Sequence, residues 1–306
     1  MKKFTGVLLF LLAGLLFAET IDVTKSEGTD QSIIDSLTPA PASPEADANT
    51  TIEAVFNEAL NPMSTMHSVT LKRLTGKKKR WGMFGFGISR SKNKTVKGSV
   101  IYDRNENILR FIPNQPLEVG FYEVVFRHLM KMSPGMGMRV KPIVYRFYVP
   151  EVINGFKLPP EPDEDKNNKT LLGVDFNRNG IRDDVERWAI VHYKDKHPIY
   201  TDIALQAGRD FKLVLERPKD AKEIREKVNS AQTCTSYYRY YAKLFNEKLL
   251  VNERIDDKVF NHYFNTDDRK KIYWEYDTRL SGDSYPLPDI DKEKSYCDFD
   301  THKYEE

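Results

Sequence analysis

Two hydrophobic periods divide this chain. In the first half apolar positions recur every second residue in short runs, the pattern of a half-buried strand. Ile52, Ala54 and Phe56 alternate with Thr51, Glu53 and Val55, and Leu109 and Phe111 alternate with Ile108, Arg110 and Ile112. Further short runs lie at 69–72, 96–102, 121–129 and 140–149. Asn61-Pro62, Asp103-Arg104-Asn105, Pro113-Asn114 and Val119-Gly120 separate them with turn-forming residues. Pro39, Pro41 and Pro44 bar a helix at the start of this region and suit an edge strand. Six or seven short strands at this spacing predict an all-β sandwich over residues 37–150.

In the second half the apolar step lengthens to three or four residues, the helical period. Val185, Trp188, Ala189 and His192 share one face, and Ile199, Ile203, Ala207, Phe211 and Val214 share another behind Pro198. Asp220 with Glu223 reads as a capping box. From there Ile224, Val228, Ala231, Cys234, Tyr238, Tyr241, Phe245 and Leu249 predict a single amphipathic helix of about 30 residues. Val259, Phe260, Tyr263 and Phe264 predict a shorter helix, and Thr266 caps a last one that Gly282 stops. The expected architecture is therefore a sandwich followed by an all-α domain over 171–282. A Pro-rich linker over 151–170 joins them, and an extended acidic tail covers 283–306. Residues 19–36, polar and without a period, read as a flexible leader.

The strand region also carries a family pattern. Pro44-Glu45-Ala46-Asp47 precedes Ile52-Glu53-Ala54-Val55-Phe56-Asn57-Glu58-Ala59-Leu60-Asn61-Pro62. Later come Val96-Lys97-Gly98-Ser99-Val100-Ile101-Tyr102-Asp103, Leu109-Arg110-Phe111-Ile112-Pro113 and Pro116-Leu117-Glu118-Val119-Gly120-Phe121-Tyr122-Glu123-Val124. In order and spacing these resemble the bacterial Ig-like domains of S-layer proteins, over roughly residues 37–150. The resemblance implies an extracellular module of the spacer or adhesive kind. Fold alone does not assign a function.

Composition narrows the setting. Of 306 residues 40% are hydrophobic and 30% charged, which excludes a disordered chain, and 47 basic against 45 acidic residues exclude a strongly basic nucleic-acid binder. Lys2 and Lys3, the apolar run Val7–Phe17 and Ala18 read as a signal peptide over 1–18. That run is too short to span a bilayer, so no transmembrane anchor is expected after cleavage. Export to the periplasm or cell surface gives the two cysteines a meaning, because an even pair in an oxidising compartment is expected to bridge Cys234 to Cys297.

The sharpest chemistry sits at the junction. Residues Asp175-Phe176-Asn177-Arg178-Asn179-Gly180-Ile181-Arg182-Asp183-Asp184-Val185-Glu186 fit the D-x-[DN]-x-[DN]-G-x5-E pattern of a calcium loop. Asp175, Asn177 and Asn179 at spacing two can converge on one hard cation, Gly180 permits the turn, and Ile181 offers its carbonyl. Asp183 and Glu186 complete an all-oxygen set for Ca²⁺. The competing reading is an Asn-Gly turn with a helix cap at Asp183, which leaves Asp175, Asn177 and Asn179 unexplained. The loop resembles single EF-hand-like and thrombospondin-type-3 repeats of exported proteins. It departs from paired EF-hands at Arg182, where a hydrophobic residue usually meets a sister loop, and the Pro-rich segment stands where a preceding helix would.

Other candidates are weaker. Lys77, Lys78, Lys79, Arg80 and Trp81 open a basic, aromatic, glycine-rich run that fits either an anionic-polymer contact or a solvated hairpin tip. Met132, Met136 and Met138 form a Met-rich and Gly-rich loop. His192 and His197 are five apart, which is not the spacing of a helical zinc pair. The leading expectation is an exported, calcium-binding structural or interaction module whose partner is an envelope polymer or protein, not nucleic acid. The alternative is an envelope-polymer hydrolase with the helical domain as its catalytic unit.

Overall fold

The computed structural model describes residues 33–41, 46–75, 93–132, 138–240, 249–282, 284–286 and 288–304. The expected signal peptide, most of the leader and the run Lys77, Lys78, Lys79, Arg80 and Trp81 lie outside them. Strands β1 (Ile34–Thr38), β2 (Ile52–Phe56), β5 (Gly98–Asp103) and β6 (Ile108–Pro113) form one antiparallel sheet in the order β1-β2-β6-β5. Strands β3 (Val69–Leu74), β4 (Lys94–Val96), β7 (Gly120–Phe126) and β8 (Ile143–Val149) form the other, ordered β4-β3-β7-β8. Alternation decides what each strand buries. Ile52, Ala54 and Phe56 face inward from β2, and Ile143, Tyr145, Phe147 and Val149 face inward from β8. Tyr122 stacks on Phe147 with centroids 5.4 Å apart, and its hydroxyl donates to the Glu118 carbonyl at 2.7 Å.

β1 corrects the expected leader. Ile33 is fully buried and Ile34–Thr38 pairs with β2, so the ordered sandwich begins inside residues 19–36. An edge strand needs only a few apolar contacts, and Ile33, Ile34 and Leu37 supply them.

The linker is also structured. Strands β9 (Glu151–Ile153) and β10 (Phe156–Leu158) make a hairpin, and a one-turn helix, α2 (Glu164–Asn168), follows. Phe156 packs on the helical core, Leu158 is buried, and Arg187 donates to the Pro159 carbonyl at 2.5 Å. Asn154 donates to the Lys194 carbonyl at 2.6 Å. Three prolines and many charges masked these contacts in the sequence.

The helical domain comprises α3 (Asp183–His192), α4 (Pro198–Glu216), α5 (Ala221–Val228), α6 (Ser230–Tyr240), α7 (Ile255–Tyr263) and α8 (Asp267–Leu280). α4 is its axis and packs against the other five. Its N-terminus is set by Pro198 and by His197, whose Nδ1 accepts from the Ile199 N–H at 3.3 Å. The expected 30-residue helix is two helices. The break falls at Asn229, where buried Asp210 of α4 accepts from Ser230 Oγ at 2.7 Å and from the Ala231 N–H at 3.0 Å. A carboxylate twenty residues away thus caps α6, and nothing in the local period signals it. Residues 241–248 lie outside the described set.

The tail is not extended over most of its described length. 3-10 turns at Ile290–Tyr296 and His302–Tyr304 fold back on α4 and α6. Cys297 is bonded to Cys234 as expected. Gln206 donates to the Tyr296 carbonyl and accepts from the Asp298 N–H, and Arg209 grips Asp298 with two hydrogen bonds.

Candidate metal centre

The loop 175–186 hangs between two buried guanidinium groups. Asp163 caps α2 by accepting from the Lys166 N–H, and the Asn167 side-chain oxygen accepts from the Val174 N–H at 3.0 Å. Arg269 of α8 donates to the carbonyls of Asn167, Leu171 and Thr170 and to the side-chain oxygens of Asn168 and Asn265. It thereby satisfies carbonyls that a one-turn helix leaves open. Gly173 lies at φ 67°, and a Cβ there would stand 2.3 Å from Arg182 Cδ and 2.5 Å from the Asn167 side-chain oxygen. Only glycine fits this approach without displacing the neighbours.

Arg182 is the second guanidinium. It pairs with Asp184 at 2.5 Å and donates to the carbonyls of Tyr263 and His262, at 3.0 and 3.3 Å. Its cation lies 4.9 Å from the Tyr263 ring centroid. In paired EF-hands the corresponding position meets a second loop through an apolar side chain. Here the Arg182 side chain meets α7 instead. Ile181 is fully buried against α4, where Gly208 makes room for it: a Cβ at 208 would lie 2.9 Å from Ile181 Cγ2.

Within this frame the predicted oxygen donors share a network. The Asp175 carboxylate accepts from the N–H groups of Asn179 and Gly180 at 3.1 and 3.0 Å. Asn177 Oδ1 accepts from that same Asn179 N–H at 3.2 Å, so positions one and three meet. Asn179 Oδ1 accepts from the Ile181 N–H at 2.9 Å. From the opposite side Glu186, in the first turn of α3, accepts from the Asn177 amide at 3.1 and 3.4 Å. Both oxygens of Asp183 accept from the Phe176 N–H. Gly180, at φ 85°, makes the turn. Asp175, Asn177, Asn179, Asp183 and Glu186 are thus brought onto one loop, and Ile181 sits between them.

The charges are out of balance. Asp183 and Glu186 are both buried, and among the described residues no Lys, Arg or His forms an ion pair with either. Burial pushes the Asp183 carboxyl up to about 8, with Glu186, Asp175 and Asp184 adding to the rise and the Phe176 N–H opposing it. Burial also pushes Glu186 up to about 7, against the Asn179 and Asn177 amides and the distant Arg209 cation. Buried carboxylates are normally paired or bound to a metal. An all-oxygen donor set with three carboxylates matches a hard divalent cation. The residues present therefore fit calcium on their chemistry.

Other predicted sites fall elsewhere. His192 stacks on Trp188 at 4.9 Å between centroids, and Trp188 stacks on His262 at 5.1 Å on its own account. His197 caps α4. Asp210, with Ser230 and Lys227, forms a second polar knot, and its carboxyl is pushed up to about 6 mainly by burial. Its geometry is that of a helix cap. The sequence held no signal for Arg269 or Asp210, because their partners lie about 100 and 20 residues away.

With the fold in place, comparison identifies the first domain. Residues 28–127 match the family model of the bacterial Ig-like domain. The sandwich is an Ig-like domain. PcoC, a methionine-rich copper resistance protein from Escherichia coli, is 23% identical over 38% of this chain and 96% of its own, with a TM-score of 0.26. The surface layer protein SbsC, domains 1–6, is 14% identical over 40% of this chain and 15% of its own, with a TM-score of 0.26. No curated protein matches the chain. Among the described residues no helix is long and apolar enough to cross a membrane.

Proposed function

We propose that the protein is an exported envelope module in which one calcium ion fixes the junction between the Ig-like domain and the helical domain. The observation that carries this reading is the pair of buried carboxylates, Asp183 and Glu186, facing Asp175, Asn177 and Asn179 with no cationic side chain paired to them. Calcium supplies the missing positive charge and accepts six to eight oxygens. Asp175, Asn177, Asn179, Asp183 and Glu186 would hold it, with the Ile181 carbonyl. Phe176 in the same loop meets Phe121 and Tyr148 of the Ig-like domain at 5.8 and 6.2 Å. An ion that orders the loop therefore also orders that contact. The Ig-like family and the basic–apolar start of the sequence support export, and the partner is an envelope protein or polymer.

Three carboxylates and no sister loop point to an affinity in the weak extracellular range, about 10⁻⁴ to 10⁻³ M. Titration calorimetry with Ca²⁺ on the parent and on Asp175→Ala with Glu186→Ala tests the assignment. One equivalent bound by the parent and none by the double variant is the expected result. No heat and no calcium-dependent change in melting for the parent would leave the loop as a turn and a helix cap.

A further inference from the structure

A turn just ahead of β2 carries a pattern that neither the sandwich nor the calcium loop uses. Asp47-Ala48-Asn49-Thr50-Thr51 joins an asparagine to a hydroxyl two places on and a carboxylate two places back. The triplet N-x-[ST], without proline in the middle, is the acceptor pattern for N-linked oligosaccharide in exported chains. Bacterial transfer systems extend it with an acidic residue two places before the asparagine. Two other triplets occur, Asn93-Lys94-Thr95 and Asn168-Lys169-Thr170, with Ser91 and Lys166 in the acidic place. The structure separates the three. Lys94 and Thr95 are held in the β3–β4 ladder, opposite Arg73 and Lys72. The Asn168 side-chain oxygen accepts from Arg269 at 3.1 Å. Residues 47–51 lie outside every ladder, because pairing of β2 with β6 starts at Ile52.

Asp47, Ala48 and Asn49 are exposed, between the buried residues Ala46 and Ile52. Asp47–Thr50 is a β-turn. The Thr50 N–H donates to the Asp47 carbonyl at 3.3 Å, the Asn49 N–H to the Asp47 carboxylate at 2.7 Å, and the Asp47 N–H to Thr50 Oγ1 at 2.7 Å. The Leu117 N–H donates to the Ala48 carbonyl at 2.6 Å and fixes the turn on the sandwich. Asp47 and Thr50 therefore close the turn. Nothing in it calls for an amide at 49 or a hydroxyl at 51. Asparagines with a structural role in this domain look different. Asn61 caps α1 (Pro62–Thr65) by accepting from the Met63 N–H at 3.0 Å, and Asn107 accepts from the Tyr102 hydroxyl at 3.2 Å. The Asn49 side chain makes no hydrogen bond among the described residues.

We propose that Asn49 is a modification site, whose side-chain amide receives an oligosaccharide from a lipid-diphosphate donor when the chain is exported. The proposal rests on the export part of the reading above. In the transfer Asn49 Nδ2 forms a bond to the anomeric carbon of the first sugar. The bond from that carbon to the donor's phosphate oxygen breaks, the lipid diphosphate leaves with the electron pair, and one amide proton passes to solvent. A glycan is bulky and solvated, so it needs a surface position. An exposed turn that spends no ladder hydrogen bond and no side-chain contact on its asparagine provides one.

The test uses the full chain purified from the cell that naturally makes it, read by intact mass and by tandem mass spectrometry of its tryptic peptides. The peptide holding Asn49 should carry a sugar mass, with fragment ions that place it on that residue, and the peptides holding Asn93 and Asn168 should carry none. Asn49→Gln and Thr51→Ala should each lose the whole increment, and Thr51→Ser should keep it. The N-terminal peptide of the same molecules reports whether the expected leader has been removed. An unmodified Asn49 in molecules that have lost the leader overturns the proposal and leaves export standing. An unmodified Asn49 in molecules that retain the leader overturns both. An increment that survives Asn49→Gln also overturns the proposal, since the sugar then sits elsewhere.

Discussion

The two domains are held by different means. In the Ig-like domain the buried side chains are almost all apolar; Thr65 and Ser68 are the only buried polar ones among the described residues, both hydrogen-bonded within the turn around α1. The helical domain buries Arg182, Asp183, Glu186, Asp202, Gln206, Asp210, Ser230 and Arg269. The first domain is specified by alternation along each strand, with charges such as Glu53 and Arg110 left half-exposed. The second is specified by polar groups that reach across it and are costly unless every partner is present. The comparison teaches where each domain is fragile: the sandwich in its apolar volume, the helical domain in single charged atoms.

The strongest way to break that contrast is at Arg269. Arg269→Ala should destabilise the helical domain by about 3–5 kcal/mol, because it strands buried carbonyls and amide oxygens of the 167–171 segment. Arg110→Ala in the sandwich, a half-exposed partner of Glu53, should cost less than about 1 kcal/mol. Chemical denaturation of the two variants checks both, and equal losses would contradict the difference between the domains.

Next in size is the disulfide. Cys234→Ala with Cys297→Ala opens a crosslink that spans 63 positions of sequence. The chain-entropy relation gives a loss of about 4 kcal/mol as an upper value. The loss should fall on the helical transition alone, read by tryptophan fluorescence in a Trp81→Phe background, where the remaining Trp188 and Trp274 both lie in that domain.

Calcium and pH sharpen the comparison further. The folded-state carboxyls of Asp183 and Glu186 lie above their unfolded values, so the metal-free fold binds extra protons. Their contribution is fullest below about pH 4 and is lost as pH rises through 7 to 8. In chelator the helical domain should melt lower at pH 8 than at pH 5.5. If calcium binds as proposed it would displace those protons, so its stabilisation should grow over the same interval, reaching about 1.4 kcal/mol at ten times Kd. A calcium effect larger at pH 5.5 than at pH 8 would reverse the sign and remove these two carboxyls as ligands.

A smaller effect than that of the disulfide is expected at Tyr122→Phe, which removes the hydroxyl that donates to the Glu118 carbonyl. A loss of about 1 kcal/mol, confined to the sandwich, is the expected result by urea denaturation.

The same contrast explains what the sequence made legible. Ile52, Ala54 and Phe56 declared their face because a strand's period is local. Asp175, Asn177, Asn179, Asp183 and Glu186 could be grouped from the sequence because all five fall within twelve residues, and their hydrogen bonds stay inside that one loop. The break at Asn229 was not, since continuing apolar steps from Ile224 to Leu249 carry no trace of Asp210 reaching in from α4. The folded hairpin over 151–158 and the docked tail were missed for a related reason: proline and charge are common in linkers, and contacts such as Arg187 with Pro159 depend on a distant element.

The way residues 296–304 return to α4 has a consequence for the order of assembly. Gln206 waits for Tyr296 and Asp298, Arg209 for Asp298, and the Asp202 carboxylate for the Tyr304 hydroxyl, across separations of 89 to 102 positions. A chain that emerges N-terminus first completes the Ig-like domain long before those partners exist. During synthesis α4 must therefore wait with its polar face unclosed. The helical domain is set to assemble late, after the Ig-like domain can already stand as a folded neighbour.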